Sequence, residues 1–64
     1  MKLRTFLETH QISLRKLSEI SGVPYVTLKK NVDSKFMESQ QDEIREGLRG
    51  YFSDGLSDVD KITF

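Results

Sequence analysis

Apolar residues recur along this chain at the spacing of helices and lose that register wherever glycine, proline or clustered polar residues intervene. Leu3, Phe6 and Leu7 stand at i, i+3 and i+4 within residues 2–9, which predicts an amphipathic first helix. Leu14, Leu17 and Ile20 follow at three-residue intervals, so the segment Ser13 to Ser21 forms a second stripe and sends Arg15, Lys16 and Glu19 toward solvent. Ser13 is a suitable N-cap, because its hydroxyl accepts a hydrogen bond from an orphan N–H one turn in. Gly22 stops that helix at a position where a departing chain commonly needs positive φ. Pro24, with its φ preset near the helical value and no N–H to leave unpaired, favours a new helix at once.

Two helices joined by about three residues must cross steeply, as in a helix-turn-helix. In the second of them Leu28 and Val32 face inward, leaving Tyr25, Val26, Lys29 and Lys30 outward. Asn31 to Glu38 reads as a loop, rich in turn formers, with Lys35 placed to reach a phosphate and Phe36 and Met37 dipping into the core. A longer helix beginning near Ser39 carries Ile44, Leu48, Tyr51 and Phe52 at i, i+4, i+7 and i+8. Gly47 costs that helix about 1 kcal/mol relative to alanine, a cost that a close helix contact would explain. Ser53-Asp54-Gly55 breaks the chain again, and Leu56 and Val59 around Ser57 predict one further short turn of helix. The terminal Ile62-Thr63-Phe64 ends on an aromatic, so it either packs on the core or forms a strand or apolar knob for a second subunit.

At 64 residues there is room for one domain, residues 1–64, which buries only about 60% of its unfolded surface and gains from oligomerising. With no cysteine and one histidine, no disulfide or zinc cluster staples it. His10 lacks a second metal ligand at usable spacing, which assigns it a surface or capping role and leaves no metal or other cofactor expected. No apolar run approaches a membrane span and no signal-length core follows Lys2 and Arg4, so a cytoplasmic location is expected. Phosphate loops, His-Glu-x-x-His pairs and cysteine nucleophiles are missing, and the carboxylates Asp42, Glu43 and Glu46 read as a solvated flank, so the chain is not expected to be an enzyme or to take a small-molecule ligand.

The formal net charge is zero, but it is unevenly spread. Residues 1–35 hold seven Lys/Arg against three acids, and residues 36–64 hold three against seven. Because DNA affinity comes largely from counterions released by bases close to phosphates, a local basic face can suffice, while the acidic half discourages indiscriminate binding. The outward residues of the second motif helix suit base edges. Tyr25 donates a hydrogen bond or stacks, Val26 meets a thymine methyl, and Lys29 or Lys30 reaches guanine O6 and N7 or a phosphate.

The anchors Ser13, Leu17-Ser18, Gly22-Val23 and Leu28 resemble those of the Cro/CI-type (XRE) helix-turn-helix of phage repressors. Ser18 replaces the usual small alanine, Leu14 a glutamine that touches DNA backbone, and Pro24 the usual polar cap. The run FLETHQISLRKLSEISGVPYVTLK also resembles the N-terminal helix-turn-helix domain of phage anti-CRISPR proteins, which represses its own promoter. The resemblance implies an all-α, compact bundle of four to five helices in which Ser13, Arg15, Thr27 and Lys35 contact the DNA backbone. It also implies that Ser18, Gly22 and Leu28 keep the helix pair correctly crossed, and that the chain is of phage or mobile-element origin. The expected function is a sequence-specific regulator of double-stranded DNA, a small repressor or autorepressor acting as a homodimer on a pseudo-palindromic operator with half-sites about 34–36 Å apart. The alternative is a protein-interaction module of the same fold that blocks a host protein through its acidic half or its tail. An architectural protein that bends DNA with little sequence preference is a third reading.

Overall fold

A computed structural model describes residues 1–52 and 57–64; the predicted breaks at Ser53-Asp54-Gly55 and the expected role of Leu56 lie outside the described residues. The chain is all-α. Helix α1 spans Leu3–Thr9, α2 Leu14–Ser21, α3 Tyr25–Asn31 and α4 Glu38–Tyr51, and a 3₁₀ turn follows at Ser57–Lys61. Each supplies side chains to a single core: Leu3, Phe6 and Leu7 from α1, Leu17 from α2, Leu28 from α3, Ile44 and Leu48 from α4, and Val59 from the 3₁₀ turn. Ile12, Val23, Phe36 and Ile62 fill it from the connecting segments.

The end of α1 is more specific than its composition announces. Gln11 takes φ 55°, the left-handed region that a residue with a Cβ seldom enters. Its N–H donates to the Glu8 carbonyl at 3.2 Å, and that of Ile12 to the Leu7 carbonyl at 2.8 Å. This is the paired closure of a Schellman motif, completed by burial of Ile12 beyond the turn. His10, expected at the surface or in a cap, does close α1, but its ring is half-buried. It lies 4.4 Å from the Phe6 ring and 5.2 Å from that of Phe52.

Helix α4 starts at Glu38, slightly before the expected position near Ser39, and Gln40 turns its side-chain carbonyl back to accept the Met37 N–H at 3.3 Å. Phe36 is buried as expected, whereas Met37 is 67% exposed. Alternate residues of an extended approach to a helix point to opposite sides, so only one of the two can enter the core. Tyr51, expected on the buried stripe, is half-exposed beneath the Lys16 ammonium, 5.5 Å from its ring, while Phe52 meets the Phe6 ring edge-on at 5.9 Å. The phenol's polar tip favours the wet edge of the helix seam. Gly47 is where α4 meets α2: a Cβ there would stand 2.7 Å from the Ile20 carbonyl oxygen and 2.8 Å from the Ser21 Cα.

Of the two readings open for the tail, this structure packs it on the core of its own chain. Ile62 is buried, Phe64 meets Phe36 edge-on at 6.0 Å, and Arg45 stacks over the Phe64 ring at 4.9 Å while donating to the Ile62 carbonyl. Thr63 makes an isolated parallel bridge with Lys2, and its N–H donates to the Met1 carbonyl at 2.6 Å. The chain's two ends are thereby clasped. Among the described residues no helix is long and apolar enough to cross a membrane.

Candidate nucleic-acid interface

The helix pair α2–α3 is built around a three-residue turn whose polar groups are accounted for one by one. Ser13 caps α2 by accepting the Lys16 N–H at 3.1 Å. At the other end Gly22 adopts φ 78°, and its N–H donates to the Ser18 carbonyl at 2.9 Å. The Ser18 hydroxyl donates to the Val23 carbonyl at 2.7 Å, and the Ser21 hydroxyl donates to the Leu17 carbonyl at 2.7 Å while accepting the Val23 N–H at 3.2 Å. Val23 itself is 1% exposed. A buried side chain and a fully bonded backbone thus pin the middle of the turn. Pro24 occupies the cap position with φ −56° and ψ 141°, extended rather than helical in ψ, and α3 begins one residue later.

Leu28, with no exposed surface, fastens α3 to the core, and the opposite side of this seven-residue helix is left to solvent. Val26 is 74% exposed and Tyr25 36%, with Lys29 and Lys30 exposed one turn further along. The two lysines also lie in the last turn, where the helix dipole favours positive charge. Thr27 is half-buried at the margin, and Val32, expected to face inward, is half-buried at the end of the helix. The Arg15 guanidinium lies 5.5 Å from the centre of the Tyr25 ring. One residue expected to touch DNA backbone and another expected to read bases are therefore in contact across the turn. Lys35 is exposed but stands apart, in the loop between α3 and α4.

Electrostatic pairing sharpens the charge asymmetry. Both nitrogens of a forked contact from Arg4 reach the Asp33 carboxylate at 2.7 Å. Those hydrogen bonds hold the Asp33 carboxyl below its ordinary range and raise the Arg4 guanidinium above its own. Lys16 pairs with Glu19 at 3.9 Å, and Arg49 with Asp60, which raises the arginine further. Once these pairs are set aside, Lys2, Arg15, Lys29, Lys30 and Lys35 make no ion pair among the described residues, and Glu8 is the unpaired acid remaining in residues 1–35. Two of the three bases of the acidic half are engaged instead, Arg49 with Asp60 and Arg45 with Phe64 and Ile62.

Among the described residues, grooves of about 830, 340 and 100 Å³ lie around the α3–α4 loop, beside the clasped ends and over Leu7, Ile12 and Val32. Tyr25, Val26, Lys29 and Lys30 line none of these three. The exposed face of α3 is a single helix wide, the dimension that a major groove admits. Two participants escaped the reading of the chain: Ser21, whose hydroxyl joins α2 to the turn, and the stacking of Arg15 on Tyr25. A serine just before the terminal glycine was the available sign of the first; the second depends on the crossing of the helices and had none. No protein-family model matches this chain, nor does any curated protein or solved structure.

Proposed function

We propose that this chain is a sequence-specific double-stranded-DNA-binding transcriptional regulator that inserts α3 into the major groove and acts as a dimer on a pseudo-palindromic operator, repressing by occupying a promoter. One observation carries the reading: Tyr25, Val26, Lys29 and Lys30 are all exposed on α3 while Leu28 is fully buried, with Val26 and Lys30 facing away from Leu28 and Tyr25 and Lys29 on its flank. An aliphatic side chain left three-quarters in water gains nothing from the fold and much from a thymine methyl. Tyr25 lies at the start of the helix, which enters the groove most deeply, with Arg15 stacked on it; Arg15, Ser13, Thr27 and, beyond the other end of α3, Lys35 are the groups for the phosphate backbone.

Selection of bound sequences from random duplexes tests this. The expected product is a two-fold site with half-site centres about 10 base pairs apart. Tyr25→Ala and Lys29→Ala should abolish the footprint without unfolding the domain, and affinity should fall steeply with salt. Selection without enrichment, or alanine variants that bind as tightly as the parent, refutes the proposal. Silent alanine variants together with loss of a protein partner on charge reversal at Glu43 and Glu46 would transfer the function to the acidic face.

A further inference from the structure

The loop between α3 and α4 carries an apolar surface that the fold leaves uncovered. Met37 is 67% exposed beside Phe64, and together with Phe36 they line the shallow 830 Å³ groove. We propose that this groove is the surface on which a second copy of the chain docks, in a two-fold arrangement that sets Lys35 of each copy against Glu38 of the other.

The charges single out that occupant. Lys35 and Glu38 both line the groove and bracket Phe36 and Met37 in sequence, and both are exposed. Neither makes an ion pair among the described residues. A two-fold axis through the groove brings each lysine onto the partner's glutamate while the two Met37 side chains meet near the axis, so the patch is complementary to itself. The floor is already rigid. Phe64 is fixed between the edge of Phe36 and the stacked Arg45, and Gln41 donates to the Phe36 carbonyl at 2.9 Å. Docking therefore strands no backbone carbonyl there and orders little that is not already ordered.

The position also fits the proposed function, on which this part of the inference rests. The groove begins just past the C-terminal end of α3, whose seven residues put Tyr25 roughly 10 Å further out. Copies joined there point the reading ends of their helices away from the axis. With a domain of 29 × 22 × 21 Å, that arrangement approaches the half-site separation of about 34–36 Å that one turn of DNA demands. Lys35 then acts in the free dimer as well as beside a phosphate.

Sedimentation of the full chain without DNA, over a range of concentrations, tests the surface. The parent should associate reversibly to twice 7.4 kDa. Met37→Asp and Lys35→Glu should each weaken association by about tenfold or more. The combined change Lys35→Glu with Glu38→Lys should restore it, while circular dichroism stays that of the parent throughout. A parent that remains monomeric at millimolar concentration, single variants that associate as well as the parent, or a charge swap without recovery overturns the proposal. Loss of association in Met37→Asp, a residue outside the DNA-contacting set, with an intact footprint leaves the DNA reading standing, and an intact charge-swap series beside a parent that gives no footprint does the reverse.

Discussion

Replacing Gly47 by alanine sets two opposing effects against each other at one atom. Helix propensity alone predicts a gain of about 1 kcal/mol. The added methyl, however, would meet the Ile20 carbonyl oxygen at 2.7 Å, the Ser21 Cα at 2.8 Å and the Ile20 carbonyl carbon at 3.0 Å. All three are backbone atoms, and no rotamer change can clear them. Restoring ordinary contact requires α2 and α4 to part by about 0.7 Å, enough to forfeit a sizeable share of the dispersion between the side chains they clasp. Overpacking of this kind costs about 1–3 kcal/mol, and because backbone is struck the upper end applies, leaving a net loss of about 2 kcal/mol. In a domain this small, that lowers the melting temperature by roughly 8–16 °C. Gly50 provides the control in the same helix, since a Cβ there meets nothing within 4 Å. Gly50→Ala should therefore stabilise, by up to about 1 kcal/mol. Thermal and urea unfolding followed by circular dichroism would compare the two. A Gly47→Ala variant as stable as the parent, alongside the expected gain at Gly50, would refute the claim that α2 and α4 touch through their backbones.

Gly22→Ala should destabilise by about 1–2 kcal/mol, because φ 78° is costly for a residue with a Cβ even though the space is open; the urea midpoint reads this. Gln11→Gly should do the opposite, raising that midpoint through a gain of about 1 kcal/mol in stability, since the left-handed position at the end of α1 is now held by glutamine. Ser18→Ala should cost about 1 kcal/mol by leaving the Val23 carbonyl without its hydroxyl donor, and amide exchange across the turn should quicken. Asp33, whose carboxyl is held low in the folded state, contributes stability present in full above the unfolded-chain value of about 3.9 and lost as pH falls through its lower folded value. Asp33→Asn should accordingly be less stable than the parent at neutral pH, with the difference shrinking as pH falls through the folded value of Asp33.

Local rules made the helix pair legible because each of its decisions is made by an adjacent residue. Ser13 caps, Gly22 turns left-handed and Leu17 and Leu28 are buried from the two helices, all within a few residues of the feature they control. The outward set on α3 followed from the same periodicity. What escaped depends on partners distant in sequence. Met37 follows a core phenylalanine in a loop and Tyr51 falls on the apolar stripe of α4, yet their exposure is set by which neighbouring elements reach them. Arg15 over Tyr25, Arg4 on Asp33 and His10 between Phe6 and Phe52 are pairings across elements that spacing alone does not announce. The left-handed Gln11 misled for another reason: its composition carries no turn signal, and tertiary burial of Ile12 imposes the conformation.

The hydrogen bonds between Met1 and Thr63 have a bearing on the order in which the fold is completed. Helices α1 to α3 are adjacent in sequence and can wind early, but the seam that sets Lys2 beside Thr63 joins residues far apart in the chain. Its formation then confines nearly the whole chain in one loop, a closure whose entropic penalty grows only slowly with length. Until that moment Phe36 lacks its edge contact with Phe64, so Thr63→Pro, which removes the N–H donated to the Met1 carbonyl, should be digested by protease faster than the parent.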